Sequence, residues 1–355
     1  MITRRSFSAG LALVTASPAL AQHSAHDPLY SSLKDPKLSE FPREKAAIQH
    51  VFDSPAPKAA NPGRWSARAP LPLPRSEMAW ATVLDDKMHM VGGYGEQRVD
   101  RNYHQYYDPS TDKWLKTAEL PRGANHVGVV ALDGKLFAIG GHTAQNSKPD
   151  NLCFVFDGKA WQKIASLPQA CGAIGCAALD GMIHAIGGAI GDTFADKKSI
   201  DTHLVYDPKA DSWSKRRPMP TARDHTGTLT ANGRIHVVGG RVDSFHTNSN
   251  LHHSYDAKED KWYARAPLPT ARSGHGAVLY RDKIFVMGGE GTNRVYGQNE
   301  AYDLKADSWM SYAPMPTPRH GLGAVAIGDF IHVAGGGPIM GGDVQSAVHE
   351  AFTLG

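Results

Sequence analysis

The sequence is short of several things that would narrow its class at once. Among 355 residues there are only three cysteines, an odd number that cannot build a disulfide framework. Cys171 and Cys176 fall on one predicted strand, and at about 3.3 Å per residue they stand too far apart to bond. Free, mostly buried thiols are expected. No apolar run reaches the ~20 residues that a membrane-spanning helix needs, so no span is expected. Charge of either sign is nearly absent in net terms, with 38 basic against 35 acidic residues. That balance gives no support to a general attraction for nucleic acid or anionic membrane. A hydrolase nucleophile, a phosphate-binding loop and a dinucleotide fingerprint are also missing. Glycine and proline, by contrast, are plentiful at 36 and 23 residues, which suits an all-β chain with many turns.

The first stretch, "MITRRSFSAGLALVTASPALAQ", joins an arginine pair to a weakly apolar segment and the small-x-small site Ala19-Leu20-Ala21. It reads as a signal peptide over residues 1–21. Thr3-Arg4-Arg5-Ser6-Phe7 resembles the twin-arginine export motif, with an ordinary Sec signal as the alternative. A periplasmic or secreted bacterial protein is expected. Residues 22–62 read as an extension and linker, with "SPAPKAANPG" rich in turn formers.

Glycine pairs recur at Gly92-Gly93, Gly140-Gly141, Gly187-Gly188, Gly239-Gly240, Gly288-Gly289 and Gly335-Gly336. Tryptophans recur at Trp65, Trp114, Trp161, Trp213, Trp262 and Trp309, on the same period of 47 to 52 residues. Between them come strand-like runs such as "KIFVMGG" and aromatic-Asp pairs such as Tyr206-Asp207. Each repeat therefore predicts four short strands bounded by turns. The glycine pair, the aromatic-Asp pair and the spaced tryptophan resemble the kelch motif, whose repeats of about fifty residues form propeller blades. The resemblance implies a six-bladed β-propeller over residues 63–355. The last repeat ends without a tryptophan, so "GRWSARAPLP" is expected to supply the missing outer strand and close the ring.

The repeat also sorts the histidines, of which there are 18. Three residues before the glycine pairs stand His89, Phe137, His184, His236, Phe285 and His332, so an aromatic ring there is filler. His104, Cys153, His203, His252, Asn299 and His349 share a second repeat slot. Other positions break the pattern. Sixteen residues before each pair stand Ser76, Ala124, Cys171, Arg223, Arg272 and Arg319. Next come Glu77, Asn125, Gly172, Asp224, Ser273 and His320, then Met78, His126, Ala173, His225, Gly274 and Gly321, with His275 one further along. These positions open the innermost strands and should surround one mouth of the central channel. The loops after the glycine pairs should open on the same face and add His142, Asp192, Arg241, Asp243, His246 and Glu290. Trp80 replaces the glycine found in its slot in the other repeats (Gly128, Gly175, Gly227, Gly276, Gly323), and either plugs the channel or offers a face for a ring to stack on.

Three arginines converging with histidines point to a polar, anionic small ligand such as a sugar or sugar acid, because guanidinium pairs with carboxylate. Arg223, Arg272 and Arg319 form the expected anion clamp, and replacing Arg272 and Arg319 by alanine should abolish binding while leaving the melting temperature nearly unchanged. Arg241, His246, His126, His320, Glu77, Asp224 and Trp80 complete the expected site. If the protein is catalytic, His225 or His275 is the proton carrier. The chain is similar in architecture and compartment to the bacterial N-acetylneuraminate epimerase family, which implies sugar epimerase or mutarotase activity. It is also similar to the galactose oxidase propeller, which implies copper. Tyr103-His104 matches that family's adjacent pair only in sequence, since His104 occupies a repeat slot. No cofactor is expected. The alternatives are a metal held by funnel histidines and a non-catalytic module that binds a protein partner.

Overall fold

The computed structural model describes residues 61–355, except 78–80, 146–147 and 194. The expected signal peptide, nearly all of the extension, and Trp80 lie outside the described residues. Alternating apolar runs separated by turn residues form six four-stranded antiparallel sheets. In blade four, for example, Gly227–Ala231, Arg234–Val238, His252–Asp256 and Lys261–Arg265 run from the axis outwards. The sixth blade takes its outermost strand from the other end of the chain. Arg64–Ala67 pairs antiparallel with His349–Thr353, register Trp65 to Phe352, so the expected closure is present. Two-stranded hairpins extend the loops of blades two, three and four.

Adjacent blades are stapled by the repeat's own markers. Each of the six repeat tryptophans donates its indole N–H to a backbone carbonyl on the neighbouring blade, as in Trp213 Nε1 to Ala165 O at 2.9 Å and Trp262 Nε1 to Arg217 O at 3.0 Å. Tyr206, Tyr255 and Tyr302 give their hydroxyls to Asp211, Asp260 and Asp307. Those carboxylates also accept a backbone N–H from the preceding blade. The second glycine of each pair donates to the next blade, from Gly93 to Ala124 O round to Gly336 to Arg75 O. A Cβ on Gly92 would stand 2.5 Å from Ala124 O, so the close approach of two backbones excludes any side chain there. The three cysteines are free and buried, as expected.

The two histidine slots bond to each other. His89 with His104, His184 with His203, His236 with His252, and His332 with His349 each join Nδ1 to Nε2 at 2.8 to 3.1 Å. Blades two and five hold Phe137 with Cys153 and Phe285 with Asn299 at these positions. No helix among the described residues is long and apolar enough to cross a membrane.

Candidate functional site

Six residues, one per blade, build a collar at one end of the channel: Glu77, His126, Ala173, His225, Gly274 and Gly321. Each backbone N–H donates to the carbonyl of the preceding member, and Glu77 N to Gly321 O at 2.9 Å completes the circle. All six have positive φ, between 48° and 62°. Four of them carry side chains, and for an L-residue that conformation costs roughly 1–2 kcal/mol. With neighbouring segments about 5 Å apart, six of them leave an opening only some 10 Å across between Cα atoms. Below the collar the innermost strands line a cavity of about 250 Å³, bordered by small side chains such as Ala81, Ala177, Thr228 and Ala324.

The collar corrects the alignment of the first repeat. Ser76 bridges Tyr94 just as Asp224 bridges Arg241, so Ser76, not Glu77, is the counterpart of Asp224. Glu77 matches His126 and His225, and Arg75 matches Arg223. One extra residue between Glu77 and the strand at Thr82 displaced the count made back from Gly92.

Around the collar the loops deliver a connected polar network. Glu77 stands between two imidazoles as an ion-pair partner, with Oε2 3.0 Å from His126 Nε2 and Oε1 2.9 Å from His320 Nε2. Glu290 Oε2 stands 3.4 Å from the same His320 nitrogen. Arg241 donates through Nε to Asp224 Oδ1 at 2.9 Å, through Nη1 to Glu290 Oε1 at 3.2 Å, and through Nη2 to His225 Nε2 at 3.0 Å. His225 Nδ1 donates to Asp224 Oδ1, and Ser199 Oγ donates to Asp224 Oδ2 at 2.5 Å. His320 Nδ1 donates to Gly337 O at 3.0 Å. Of the network, Arg241 keeps 12% of its side chain exposed and His126 5%.

Charge decides the protonation states. Burial works against a charged His320, but Glu290 and Glu77 outweigh it and lift the imidazole to about 9. Burial would likewise raise Glu77, yet His126 and His320 hold it well below the usual carboxylate range. Burial and then Arg241 depress His225 to about 4, so its neutral ring keeps Nδ1–H towards Asp224. Arg241 is raised because Asp224 and Glu290 outweigh its burial. Lys197 falls to about 7 through burial and then the Arg241 charge.

Other expected residues stand elsewhere. Arg223, Arg272 and Arg319 are fully buried and brace the scaffold. Arg223 donates to Gly239 O at 2.7 Å and Leu251 O at 2.9 Å. Arg272 donates to Val286 O at 3.0 Å and pairs with Glu300 at 2.5 Å. Arg319 donates to Gly335 O and Val348 O and pairs with Glu350 at 2.8 Å. Arg75 does the same in the first blade, towards Gly92 O and Gln105. His275 is wholly buried, and a Cβ on Gly227 or Gly239 would meet its ring at 2.7 Å. Its Nδ1 lies 3.4 Å from Gly276 O, and burial with Arg272 pushes it down to about 3. His246 is exposed on the hairpin strand Ser244–Asn248.

Lys197, which was not marked in advance, and Asn125, which was placed at the mouth but not in the expected site, both join it. Asn125 had a signal: it shares the Asp224 slot, and it accepts from His126 Nδ1 as Asp224 does from His225. Lys197 sits in a loop outside any repeat slot, so periodicity could not find it.

The fold and the closed collar define a six-bladed propeller with a polar mouth. Its family follows from the comparisons. The KLHDC2/KLHL20/DRC7 Kelch-repeats domain matches residues 173–351, half of the chain, and a Kelch motif matches residues 124–168. The chain belongs to the kelch-repeat family. It is 27% identical over 202 residues to Kelch-like protein terF of Aspergillus terreus, a match covering 51% of this chain and 43% of that protein. It is 27% identical over 171 residues to Kelch-like protein 26 of Danio rerio, covering 46% of this chain and 27% of the relative. To human Kelch-like protein 35 it is 38% identical over 182 residues, covering 51% and 27%. The matched stretch spans less than half the length of each relative.

Proposed function

We propose that the protein is an exported binding propeller whose collar face takes a small, hydroxyl-bearing polar ligand of the sugar or sugar-acid class. One observation carries this reading: buried acids, imidazoles and a guanidinium from blades one, two, four, five and six meet on a strained backbone ring. Strain and desolvated charge gathered in one place are what ligand sites tolerate and scaffolds avoid. Hydroxyls can donate to Glu77 and Glu290 while accepting from Arg241 and Lys197. A carboxylate on the ligand would fall to Arg241 and Lys197, because the other three arginines serve backbone carbonyls. Should the site also catalyse ring opening or epimerisation, His225 is the base, acting through Nε2 once Arg241 releases that nitrogen. The leader sequence at residues 1–21 supports delivery to a periplasmic or secreted location.

A calorimetric and thermal-shift panel of neutral sugars, uronic acids and sialic acids tests the reading. Binding that Arg241→Ala and Glu77→Gln both remove is expected; a panel without a binder, or binding indifferent to both changes, rejects it. The family membership favours a second reading, since the kelch propeller fold is consistent with a protein-interaction module. There the loops around the collar would hold a partner, and charge reversal at exposed Lys198 and half-buried Arg98 would weaken capture while leaving the sugar panel silent.

A further inference from the structure

We propose that Glu77, His126 and His225 form a binding site for a divalent first-row transition-metal ion, with zinc(II) as the reference ion. The inference stands independently of the sugar reading. One oxygen of Glu77 and one nitrogen of each histidine lie within 4.8 Å of one another. Ligands about 2.0–2.2 Å from a tetrahedral zinc stand some 3.3–3.6 Å apart, so modest side-chain rotation completes the sphere. The His126 and His225 rings already meet edge to face with centroids 4.7 Å apart.

The second layer fixes which nitrogen faces the site. Asn125 Nδ2 donates to Asp100 Oδ1 at 2.6 Å and to His142 O at 3.1 Å, so its Oδ1 is the atom that accepts from His126 Nδ1. Asp224 accepts from His225 Nδ1 in the same way. Both rings therefore turn Nε2 towards Glu77, and an outer carboxylate or amide on the far nitrogen is the arrangement that orients metal-bound imidazoles. Two imidazoles and a carboxylate suit zinc or iron(II) better than magnesium or calcium, which prefer oxygen.

A separate observation points the same way. His142 is 0% exposed, stands edge-on to His126 at 5.7 Å, and has no hydrogen-bond partner on either ring nitrogen among the described residues. Buried polar atoms rarely lack partners, and a donor waiting beside the triad accounts for this one. Arg241 Nη2 holds His225 Nε2 at 3.0 Å and must be displaced by the ion. The partly exposed arginine is the group positioned to move.

The test uses the full chain, stripped with chelator and titrated with zinc(II) by calorimetry and with cobalt(II) by ligand-field absorption. One ion per chain is expected, with imidazole–carboxylate cobalt bands. His126→Ala and His225→Ala should each weaken zinc binding at least a hundredfold. Asn125→Ala, which touches no ion, should weaken it about 10–100-fold. Should an alanine variant fail to fold, judged by its metal-free melting curve, His225→Gln and Asn125→Ala carry the test. Absence of zinc binding overturns the proposal. So does binding that survives both histidine substitutions, or binding lost only in His320→Gln, which would put the ion between Glu290 and His320. A silent sugar panel beside a positive zinc titration would reject the ligand reading and leave this one standing.

Discussion

At the scale of single residues, the arginines show how burial changes the meaning of a sequence position. An arginine near a channel mouth suggests an anion clamp, and replacing it would then leave folding intact. Arg319 instead makes three backbone bonds and an ion pair inside the blade. Removing one partner of a buried pair strands the other charge, at about 3–5 kcal/mol. Arg319→Ala and Arg272→Ala are accordingly expected to lower urea-unfolding free energy by that amount, and lysine should not rescue either, since it cannot fork to two carbonyls. Unchanged unfolding in Arg319→Ala would return the residue to the ligand site. The sequence held a signal for this. Where the slot carries arginine, the third strand carries Gln105, His253, Glu300 or Glu350; where it carries Ala124 or Cys171, the third strand carries Phe154 or Leu204. Pairing the two slots within the repeat exposes a bonded couple rather than a binding group.

His320 gives a pH prediction at the same scale. Its folded value is about 9, above an unfolded value near 6.5. The proton it holds therefore stabilises the fold fully below about pH 6.5, and that contribution is lost as pH rises through 9. Glu77 has the opposite sign: its folded value is depressed, so its contribution is present above its unfolded value of about 4.3 and lost as pH falls. The difference in unfolding free energy between wild type and His320→Gln should be largest between about pH 5 and 6.5 and shrink towards pH 9. A difference that grows with pH would contradict the ion pair.

At the scale of the element, the repeat period made the strands and the glycine pairs legible because each marker has the same job in every blade. It also marked both histidine slots as architecture. What it could not show was that the slots bond to each other, since register across strands is a property of pairing. Burial holds the imidazoles of His89, His184 and His332 at about 4 and those of His104, His203, His236 and His349 at about 3. Unfolded, each would take up a proton near pH 6.5. Stability carried by these neutral pairs is thus present above about pH 6.5 and falls as pH drops towards 4, with a slope of about 1.4 kcal/mol per pH unit for each extra proton taken up on unfolding. Blade five fills the same two places with Phe285 and Asn299, which do not titrate. His184→Phe with His203→Asn should fold and flatten the acid limb, whereas His184→Phe alone leaves His203 without its partner and should cost more at neutral pH. Equal acid limbs in the wild type and the double variant would remove the pairs as the cause.

For the whole molecule, closure is the property on which the collar depends. A ring of hydrogen bonds from Glu77 round to Gly321 exists only if the sixth blade returns to the first. The collar itself was only half legible from the sequence: counting back from the glycine pairs placed blades two to six correctly, and the first needed the bridge from Ser76 to Tyr94. What holds the circle shut is the short strand Arg64–Ala67 on His349–Thr353. Trp65 reinforces it with an indole bond to Ala313 O at 2.8 Å and a tilted contact with Phe352 at 5.3 Å. Replacing a packed tryptophan by alanine costs about 3 kcal/mol or more, and here the loss falls on the one seam joined by no continuous chain. A chain lacking residues up to 67 would expose His349–Thr353 as an unpaired edge, which invites pairing with other copies. It is expected to melt earlier than wild type and to associate in light scattering. A synthetic peptide spanning residues 61–70 should restore the melting curve and the monomer, while the same peptide with Trp65→Ala should not. Full stability of the truncated chain without peptide would mean that the blades hold their circle by lateral packing alone, and the collar would then owe nothing to the seam.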